Sequence, residues 1–126
     1  MAKREDEQLA QAWQDLMSRY HRVTCVLDST LESQHGISAS EFAVLERLAD
    51  AKPHALKMNE LGEHAHLSQS ALSRLVARLE DDALVERVMC TDDRRCVYAS
   101  LTPAGLAVYE AARPTHRAVL RDQRPA

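Results

Sequence analysis

Polar side chains that can hydrogen-bond to DNA recur along residues 67–80 at helical spacing. The apolar residues of this stretch lie three and four positions apart and share one helical face: Leu72, Leu75, Val76 and Leu79. The opposite face has no bulky apolar group and carries Gln69, Ser70, Ser73, Arg74, Ala77 and Arg78. Small residues allow close approach to a major groove, and polar ones can meet base edges and phosphates. An ordinary solvent-exposed amphipathic helix has a similar pattern, so this stretch alone leaves both interpretations open.

The overall composition indicates a small, mostly helical globular protein. The 126 residues suit one domain, with 45% hydrophobic and 28% charged residues. The chain has only three glycines, four prolines and one phenylalanine, and these low numbers favour helices over a β-sandwich. Because the formal net charge is −3, any DNA contact must depend on the local placement of arginines rather than on a generally basic surface.

Two classes of protein lack support in the sequence. There is no Ser/His/Asp set, no phosphate-cradling glycine-rich loop and no paired-carboxylate motif, so we expect no enzyme. No apolar run approaches the roughly 20 residues that span a bilayer. Residues 1–7 lack the apolar core of a signal peptide. We therefore expect a cytoplasmic protein without a membrane partner.

The cysteines and histidines predict neither a metal site nor another cofactor. Cys25, Cys90 and Cys96 have no metal-type spacing, and we expect three reduced thiols. His64 and His66 are two positions apart on a predicted helix, which turns their rings away from each other. A shared metal ion is therefore not expected at this pair.

A long amphipathic helix is predicted from residue 7 to residue 34, after a frayed, charged start. Its apolar residues recur almost as a heptad seam, at Leu9, Trp13, Leu16, Met17, Tyr20, Val23, Leu27 and Leu31. This stripe can pack on the domain's own core or on a helix of a partner. The length of the helix in so small a protein favours a partner.

Two short helices are predicted ahead of the polar-faced stretch. Ser38 and Glu41 have the spacing of a capping box, which opens the first of them. The second begins near Met58, with Asn59 as its expected cap. Only a tight turn then precedes the polar-faced helix, whose first N–H groups Ser68 can cap. This pair is typical of a helix-turn-helix.

Two strands and a final helix are predicted after the helix-turn-helix. Alternation over residues 84–90 and a β-rich run over residues 96–101 indicate a hairpin with a charged turn. A hairpin in this position is the wing of a winged helix. Thr102 and Pro103 form a strong helix start, and Pro114 is expected to kink or end that helix.

Five pieces of the sequence together resemble the multiple-antibiotic-resistance-regulator (MarR) family of bacterial winged-helix repressors. They are Met58-Asn-Glu-Leu-Gly62, Leu67-Ser-Gln-Ser-Ala-Leu-Ser-Arg-Leu-Val-Ala-Arg-Leu-Glu80, Leu84-Val-Glu-Arg87, Asp93-Arg-Arg95 and Leu101-Thr-Pro-Ala-Gly105. The resemblance implies a dimer formed by the N- and C-terminal helices. It also implies recognition helices in major grooves and wing tips in minor grooves. Many members of the family release DNA when a small, often phenolic or lipophilic, ligand binds.

The resemblance assigns DNA contacts to the recognition helix and to the wing. Gln69 and Arg74 are the expected base readers, since each can make two hydrogen bonds at once. The free N–H groups at Ser68 suit a phosphate. In the wing, Asp93 is expected to orient Arg95 into a minor groove, where negative potential is concentrated; the alternative is a surface ion pair. The predicted DNA-binding residues are Ser68, Gln69, Ser70, Ser73, Arg74, Arg78, Asp93, Arg94 and Arg95.

Two further residue sets follow from the resemblance. A small-molecule pocket is expected at Trp13, Arg19, Tyr20 and His21. The dimer interface is expected at Leu9, Trp13, Leu16, Tyr20, Val23, Leu27, Leu106 and Tyr109. Cys25 allows a thiol-based redox-sensing regulator as an alternative, although a buried inert thiol fits its position better. The family pattern continues with another helix beyond Ala126, and we expect a weaker dimer without it.

These observations predict one domain over residues 1–126, mainly α with a small β wing. Residues 38–101 form the winged helix-turn-helix, and residues 7–34 and 103–122 are dimerisation helices. The expected function is that of a homodimeric repressor that binds a near-palindromic operator without a cofactor. A winged-helix module for protein–protein assembly without DNA binding is the alternative.

Overall fold

The computed structural model describes residues 2–91 and 95–124, apart from the side chain of His64. Within these ranges the chain forms five helices and three strands, which confirms a mainly α fold with a small β wing. In chain order they are α1 (Ala2–His35), α2 (Ala39–Asp50), β1 (Ala55–Lys57), α3 (Met58–Ala65), α4 (Gln69–Asp81), β2 (Val85–Met89), β3 (Val97–Leu101) and α5 (Pro103–Asp122). None of the helices described is both long and apolar enough to cross a bilayer.

Side-chain caps start three helices where the sequence predicts them. In the capping box of α2, Ser38 Oγ accepts the N–H of Glu41 at 3.0 Å, and a Glu41 carboxylate oxygen accepts the N–H of Ser38 at 3.1 Å. Ser68 Oγ accepts an N–H of the first turn of α4 at 3.1 Å. Thr102 Oγ1 does the same for α5 at 3.0 Å. Each cap satisfies an N–H group that has no partner inside its helix.

The start of α3 differs from the prediction, and Asn59 is not its cap. Lys57 occupies the cap position and forms no side-chain capping bond. Asn59 lies in the first turn, where its Oδ1 accepts the N–H of Glu60 at 3.0 Å. Lys57 also ends β1, so pairing of this strand, rather than a capping side chain, determines where α3 begins.

The sheet has the strand order β1–β3–β2, and both pairs of strands are antiparallel. β2 and β3 form the predicted hairpin, in which Met89 lies opposite Val97. The sequence does not predict β1, because three residues give no period-two signal. Its pairing with β3, which places Ala55 opposite Ser100, is what makes it a strand.

A disulfide joins Cys90 to Cys96 at the loop end of the hairpin. The Cys90 N–H donates to the Cys96 carbonyl at 3.0 Å, and the two Cα atoms are 5.3 Å apart. The expectation of three reduced thiols is therefore wrong for this pair, because antiparallel pairing brings the two residues opposite each other. Cys25 is free and is exposed on α1 rather than buried.

The core packs α2 and α4 against β3 and against parts of α1 and α5. Its largest fully buried side chains are Leu31, Ile37, Phe42, Val44, Leu45, Leu48, Leu61, Leu72, Val76, Leu79 and Val85. Burial of Leu72, Val76 and Leu79 confirms the predicted apolar face of α4. Burying one such side chain contributes about 1.5–3 kcal/mol, so α4 cannot rotate about its axis without a large loss of stability.

α1 divides into a half packed on the core and a half that stands clear of it. The helix starts at Ala2 without the expected frayed segment, since its first residues are mostly good helix formers. Leu27 and Leu31 are buried in the core, whereas the preceding part of the stripe is exposed at Leu9, Trp13, Leu16, Met17 and Tyr20. Leu27 and Tyr109, both predicted as dimer contacts, are buried in the core of this chain.

α5 continues through Pro114 to Asp122, so of the two outcomes expected at Pro114, a kink or an end of the helix, the end is wrong. A proline leaves the carbonyl four residues before it without an N–H partner. That carbonyl belongs to Glu110, which is exposed and can be hydrated. Packing of α5 against α1 and α2 holds the helix across this position.

Titratable side chains of α2 and α5 meet beside Phe42. The His116 ring stacks on the Phe42 ring at a centroid distance of 4.2 Å, and its Nδ1 accepts a hydrogen bond from Arg117 at 2.6 Å. Arg117 also pairs with Glu46, which accepts the Tyr109 hydroxyl at 3.2 Å. Burial lowers the pKa of His116, and the adjacent Arg117 charge lowers it further. Burial and then the Glu46 carboxylate raise the pKa of Tyr109.

We expect the free energy of unfolding to fall as the pH drops below 6.5, the ordinary pKa of histidine, in part through His116. Its pKa is lower in the folded state, so the unfolded state takes up the proton first and is favoured. The loss runs from pH 6.5 down to the folded pKa. Urea unfolding at several pH values between about 5 and 8 measures it.

Two substitutions separate His116 from the other histidines. His116→Phe keeps a ring against Phe42 and should flatten the pH dependence of unfolding. His66→Asn replaces an exposed histidine by a residue that tolerates the same left-handed backbone, and it is the control for removing one histidine. Equal pH dependence in the parent chain and in His116→Phe would show that His116 does not contribute to the pH dependence of unfolding.

Candidate nucleic-acid interface

A tight turn sets α4 against α3 and forms the predicted helix-turn-helix. His66 ends α3 in the left-handed region, with φ at 56°. A Cβ atom added at Gly62 would lie 3.0 Å from Gln69 Nε2 and 3.3 Å from Leu72 Cδ2. The missing side chain at Gly62 therefore allows the start of α4 to lie close to α3.

The face of α4 opposite its buried residues is exposed to solvent. It presents five of the predicted DNA contacts, Ser68, Gln69, Ser70, Ser73 and Arg74. The first turn of the helix contains no acidic residue. The Arg74 side chain forms no ion pair or hydrogen bond with any residue that the structure describes. Its guanidinium is thus available to a partner molecule.

Arg78 differs from these residues because it already has an acidic neighbour. Its Nη1 lies 4.0 Å from Oε1 of Glu41, whose side chain is buried while that of Arg78 is 72% exposed. Glu41 also accepts the N–H of Ser38 in the capping box of α2. The predicted DNA contact at Arg78 therefore starts from a partly neutralised charge.

A groove of about 520 Å³ runs between α4, the start of α3 and the base of the wing. It is lined by Lys57, Met58, Asn59, Gln69, Ser73, Arg87, Arg95, Cys96 and Val97. Three of these lining residues are cations, and none of those described is a carboxylate, so the groove favours anions. The structure brings Arg95 together with the recognition helix here. Asp93 and Arg94, also predicted as DNA contacts, lie outside the described residues.

Arg87, which the sequence analysis did not assign to the site, joins the wing to α4. Its guanidinium donates to the Ser73 carbonyl at 2.8 Å and lies 3.9 Å from the Glu80 carboxylate. Its backbone N–H donates to Glu80 at 3.1 Å. These contacts hold β2 beside α4. Strand alternation identifies Arg87 only as one of several polar residues and does not indicate its contacts with α4. Lys57 lies in β1, which the sequence does not predict, so no local signal indicates its position in the groove.

The predicted ligand residues of α1 do not share one environment in the described structure. Trp13 and Tyr20 are exposed, and His21 lies 3.6 Å from the thiol of its own helix. Arg19 reaches the end of α5, where it donates to the Gln123 carbonyl at 3.4 Å. A cavity of about 490 Å³ between α1 and α5 is lined by Val26, Thr30, Gln34, Pro114, Thr115, Ala118, Val119, Asp122 and Gln123. Arg19 therefore lies at the edge of that cavity, because its hydrogen-bond partner Gln123 is one of the lining residues.

Comparison with known proteins identifies the family. The model of the MarR family matches residues 35–95. The crystal structure of Sco3205 from Streptomyces coelicolor, a MarR family transcriptional regulator in complex with DNA, is 31% identical in sequence. It superposes with a TM-score of 0.85, over 94% of this chain and 73% of that one. The chain belongs to the MarR family. In this MarR-family chain the matched residues run from the end of α1 to Arg95, and they include every residue that lines the groove except Cys96 and Val97.

Curated relatives of this MarR-family chain are also transcriptional regulators. The HTH-type transcriptional repressor YetL of Bacillus subtilis is 33% identical over 81 residues, which are 64% of this chain and 48% of YetL. The HTH-type transcriptional repressor MdtR of the same organism is 27% identical over 119 residues, which are 94% of this chain and 74% of MdtR. The chain spans about half the length of the first curated relatives it matches.

Proposed function

We propose that the chain is a transcriptional repressor that binds DNA as a homodimer. The groove between α4 and the wing is the observation that carries this proposal. Its three cations face the exposed polar side of α4, in a chain whose net charge is −3. A local concentration of cations on an acidic protein favours one orientation towards a polyanion, because the remaining surface repels it. YetL and MdtR, by their names, are repressors, and Sco3205 was crystallised with DNA.

In the proposed complex, α4 enters the major groove. Ser70 and Ser73 are small enough to let the helix approach the base edges, and Gln69 and Arg74 can each make two hydrogen bonds to one base. The free N–H groups at the start of α4, near Ser68, suit a backbone phosphate. Phosphate contacts position the helix, and base contacts provide sequence preference.

The wing is proposed to contact the adjacent minor groove through Arg95. A narrow minor groove concentrates negative potential and attracts a guanidinium. Arg87 fixes the base of the wing against α4 through its contacts with Ser73 and Glu80. The two contact regions therefore keep a constant separation, so that both can engage one DNA site.

The exposed half of α1 supports a homodimer. Leu9, Trp13, Leu16, Met17 and Tyr20 expose 42–65% of their surface, and they belong to the same stripe that is buried further along the helix. Soluble proteins seldom leave so continuous an apolar surface in water. A second copy related by a twofold axis can bury this stripe against its own. Two winged heads held in this way would meet successive major grooves and favour a near-palindromic operator.

We expect Arg95→Ala and Arg74→Ala each to weaken DNA binding by about 1–3 kcal/mol. Arg74→Ala should also relax the sequence preference, because it removes a base contact, and Arg95→Ala should leave folding unchanged, because its side chain is exposed. Fluorescence anisotropy with a duplex selected from a random-sequence pool measures affinity, and repeated selection with each variant measures preference.

Arg4→Ala is the matched control for these two variants. It removes the same charge from an exposed position on the first turn of α1, away from the groove. Affinity should fall steeply with salt for the parent chain and for this control, since phosphate contacts release counterions. Parent-like affinity in both groove variants would show that the groove assignment is wrong. A chain that binds no duplex would favour the protein–protein assembly module.

Leu16→Glu is expected to dissociate the dimer, because it places an unpaired negative charge in an apolar interface. Ser18→Glu adds the same charge half a turn away on the opposite face of α1 and should have no effect. Light scattering over a dilution series measures mass. Trp13 is the only tryptophan and lies in the stripe, so its emission should shift to the red as the dimer dissociates. A monomeric parent chain that binds a palindromic duplex tightly would contradict this proposal.

Release from DNA by a small aromatic acid is proposed to involve Arg19. The cavity between α1 and α5 has the volume of a small-molecule site, and Arg19 can supply a cation at its edge. A thermal-shift screen of such acids should find stabilisers that also lower DNA affinity. Arg19→Ala should reduce both responses and His21→Ala should not, because His21 faces Cys25 instead. Intact responses in Arg19→Ala would eliminate this site.

A further inference from the structure

We propose that Glu41 restrains Arg78 and thereby weakens the contact of α4 with the phosphate backbone of DNA. This inference rests on the proposed function, in which α4 enters the major groove. Glu41 lies in the first turn of α2, and its Oε1 is 4.0 Å from Arg78 Nη1. Among the residues that the structure describes, Glu41 is the one buried charged residue, with 4% of its surface exposed. Taking a carboxylate out of water is costly, so its charge requires an explanation.

The role of Glu41 in the capping box does not explain its charge. Its Oε1 accepts the N–H of Ser38 at 3.1 Å, and the amide oxygen of a glutamine can accept the same bond. The dipole of α2 favours a carboxylate in its first turn, but this effect is small compared with the cost of burying a charge. The cationic group that the structure places beside the carboxylate is the Arg78 guanidinium.

The carboxylate of this pair is held in place, whereas the guanidinium is not. Burial and the capping box fix Glu41, and the start of α2 is also tied to α1, because Asp28 Oδ1 accepts the N–H of Ala39 at 2.8 Å. The Arg78 side chain is 72% exposed, and 4.0 Å is too long for a hydrogen bond. The pair is therefore attractive without fixing a geometry. Arg78 can turn towards a ligand, but Glu41 cannot follow it.

The fixed carboxylate competes with DNA for Arg78. This arginine lies one helical turn after Arg74 on the exposed side of α4, where it suits a backbone phosphate rather than a base. A phosphate that approaches the guanidinium is repelled by Glu41 behind it. The parent chain therefore obtains less affinity from the backbone, and base contacts account for a larger share of its binding. Removal of the Glu41 charge should strengthen binding to every DNA sequence equally.

Glu41→Gln tests this competition, because it keeps the size of the side chain and the capping oxygen and removes only the charge. Fluorescence anisotropy over a salt series measures binding to the selected duplex and to a random-sequence duplex. Affinity for both should rise by about two- to fivefold for each Arg78, the range that corresponds to an exposed ion pair. The slope of log affinity against log salt should steepen by up to about 0.9 for each Arg78. The ratio of the two affinities should stay constant, whereas a tilt of α4 would change it.

Arg78→Ala, made in the parent chain and in Glu41→Gln, shows whether the gain acts through Arg78. In the parent chain this substitution should reduce the salt slope by clearly less than about 0.9 for each protomer, because the guanidinium is restrained. In Glu41→Gln the reduction should approach that full value, and Glu41→Gln/Arg78→Ala should bind like Arg78→Ala. Glu110→Gln is the matched control. It removes the same charge from an exposed position on α5 and should bind like the parent chain.

Three results would overturn the inference: unchanged or weaker binding in Glu41→Gln, a changed ratio of the two affinities, or a gain that persists without Arg78. A full contribution of Arg78 to the salt slope of the parent chain would overturn it too. This last measurement alters only an exposed side chain, so it decides the question even if urea unfolding shows that Glu41→Gln does not fold. A parent chain that binds no duplex would instead overturn the proposed function on which the inference rests.

Discussion

Burial of one face of α4 is the constraint on which the rest of this structure depends. Leu72, Val76 and Leu79 lie in the core, so the polar side of the helix must face solvent. Rotation of the helix would expose these side chains and bury serines and guanidiniums without partners, which is costly on both counts. Gly62 then lets α4 lie close to α3, and Arg87 holds the wing at its side. Burial of the apolar side of α4 thus fixes the orientation of its polar side, which has no bulky apolar residue of its own.

Charge is distributed so that an acidic chain still presents a cationic groove. The net charge is −3, yet Lys57, Arg87 and Arg95 line one groove without a lining carboxylate among the described residues. Acidic partners lie behind this surface instead: Glu80 contacts Arg87, and Glu41 lies near Arg78. These carboxylates position guanidiniums while reducing their charge. Arg74, which has no such partner in the described structure, keeps its full charge for a ligand.

α1 links the folded core to a surface that the core does not cover. Its later residues Leu27 and Leu31 pack inside the domain, whereas Trp13 and Leu16 of the same stripe stay exposed. A helix is stiff over this distance because every interior N–H group is bonded within it. Any partner that covers the exposed half is therefore rigidly connected to the winged head. In the proposed dimer, this connection sets the distance between the two α4 helices.

The sequence by itself determined the features that depend on local chemistry. Helical spacing predicted both faces of α4, and Ser38, Ser68 and Thr102 predicted three helix starts, because caps and amphipathic periods act within a few residues. Only the tertiary structure decided β1, the Cys90–Cys96 disulfide, the role of Arg87 and the burial of Leu27 and Tyr109. Each of these depends on a partner distant along the chain or on another strand, and local patterns carry no information about which distant surfaces meet. Whether α5 ends at Pro114 or continues past it was decided in the same way, since packing against α1 and α2 holds a helix that local propensity would end.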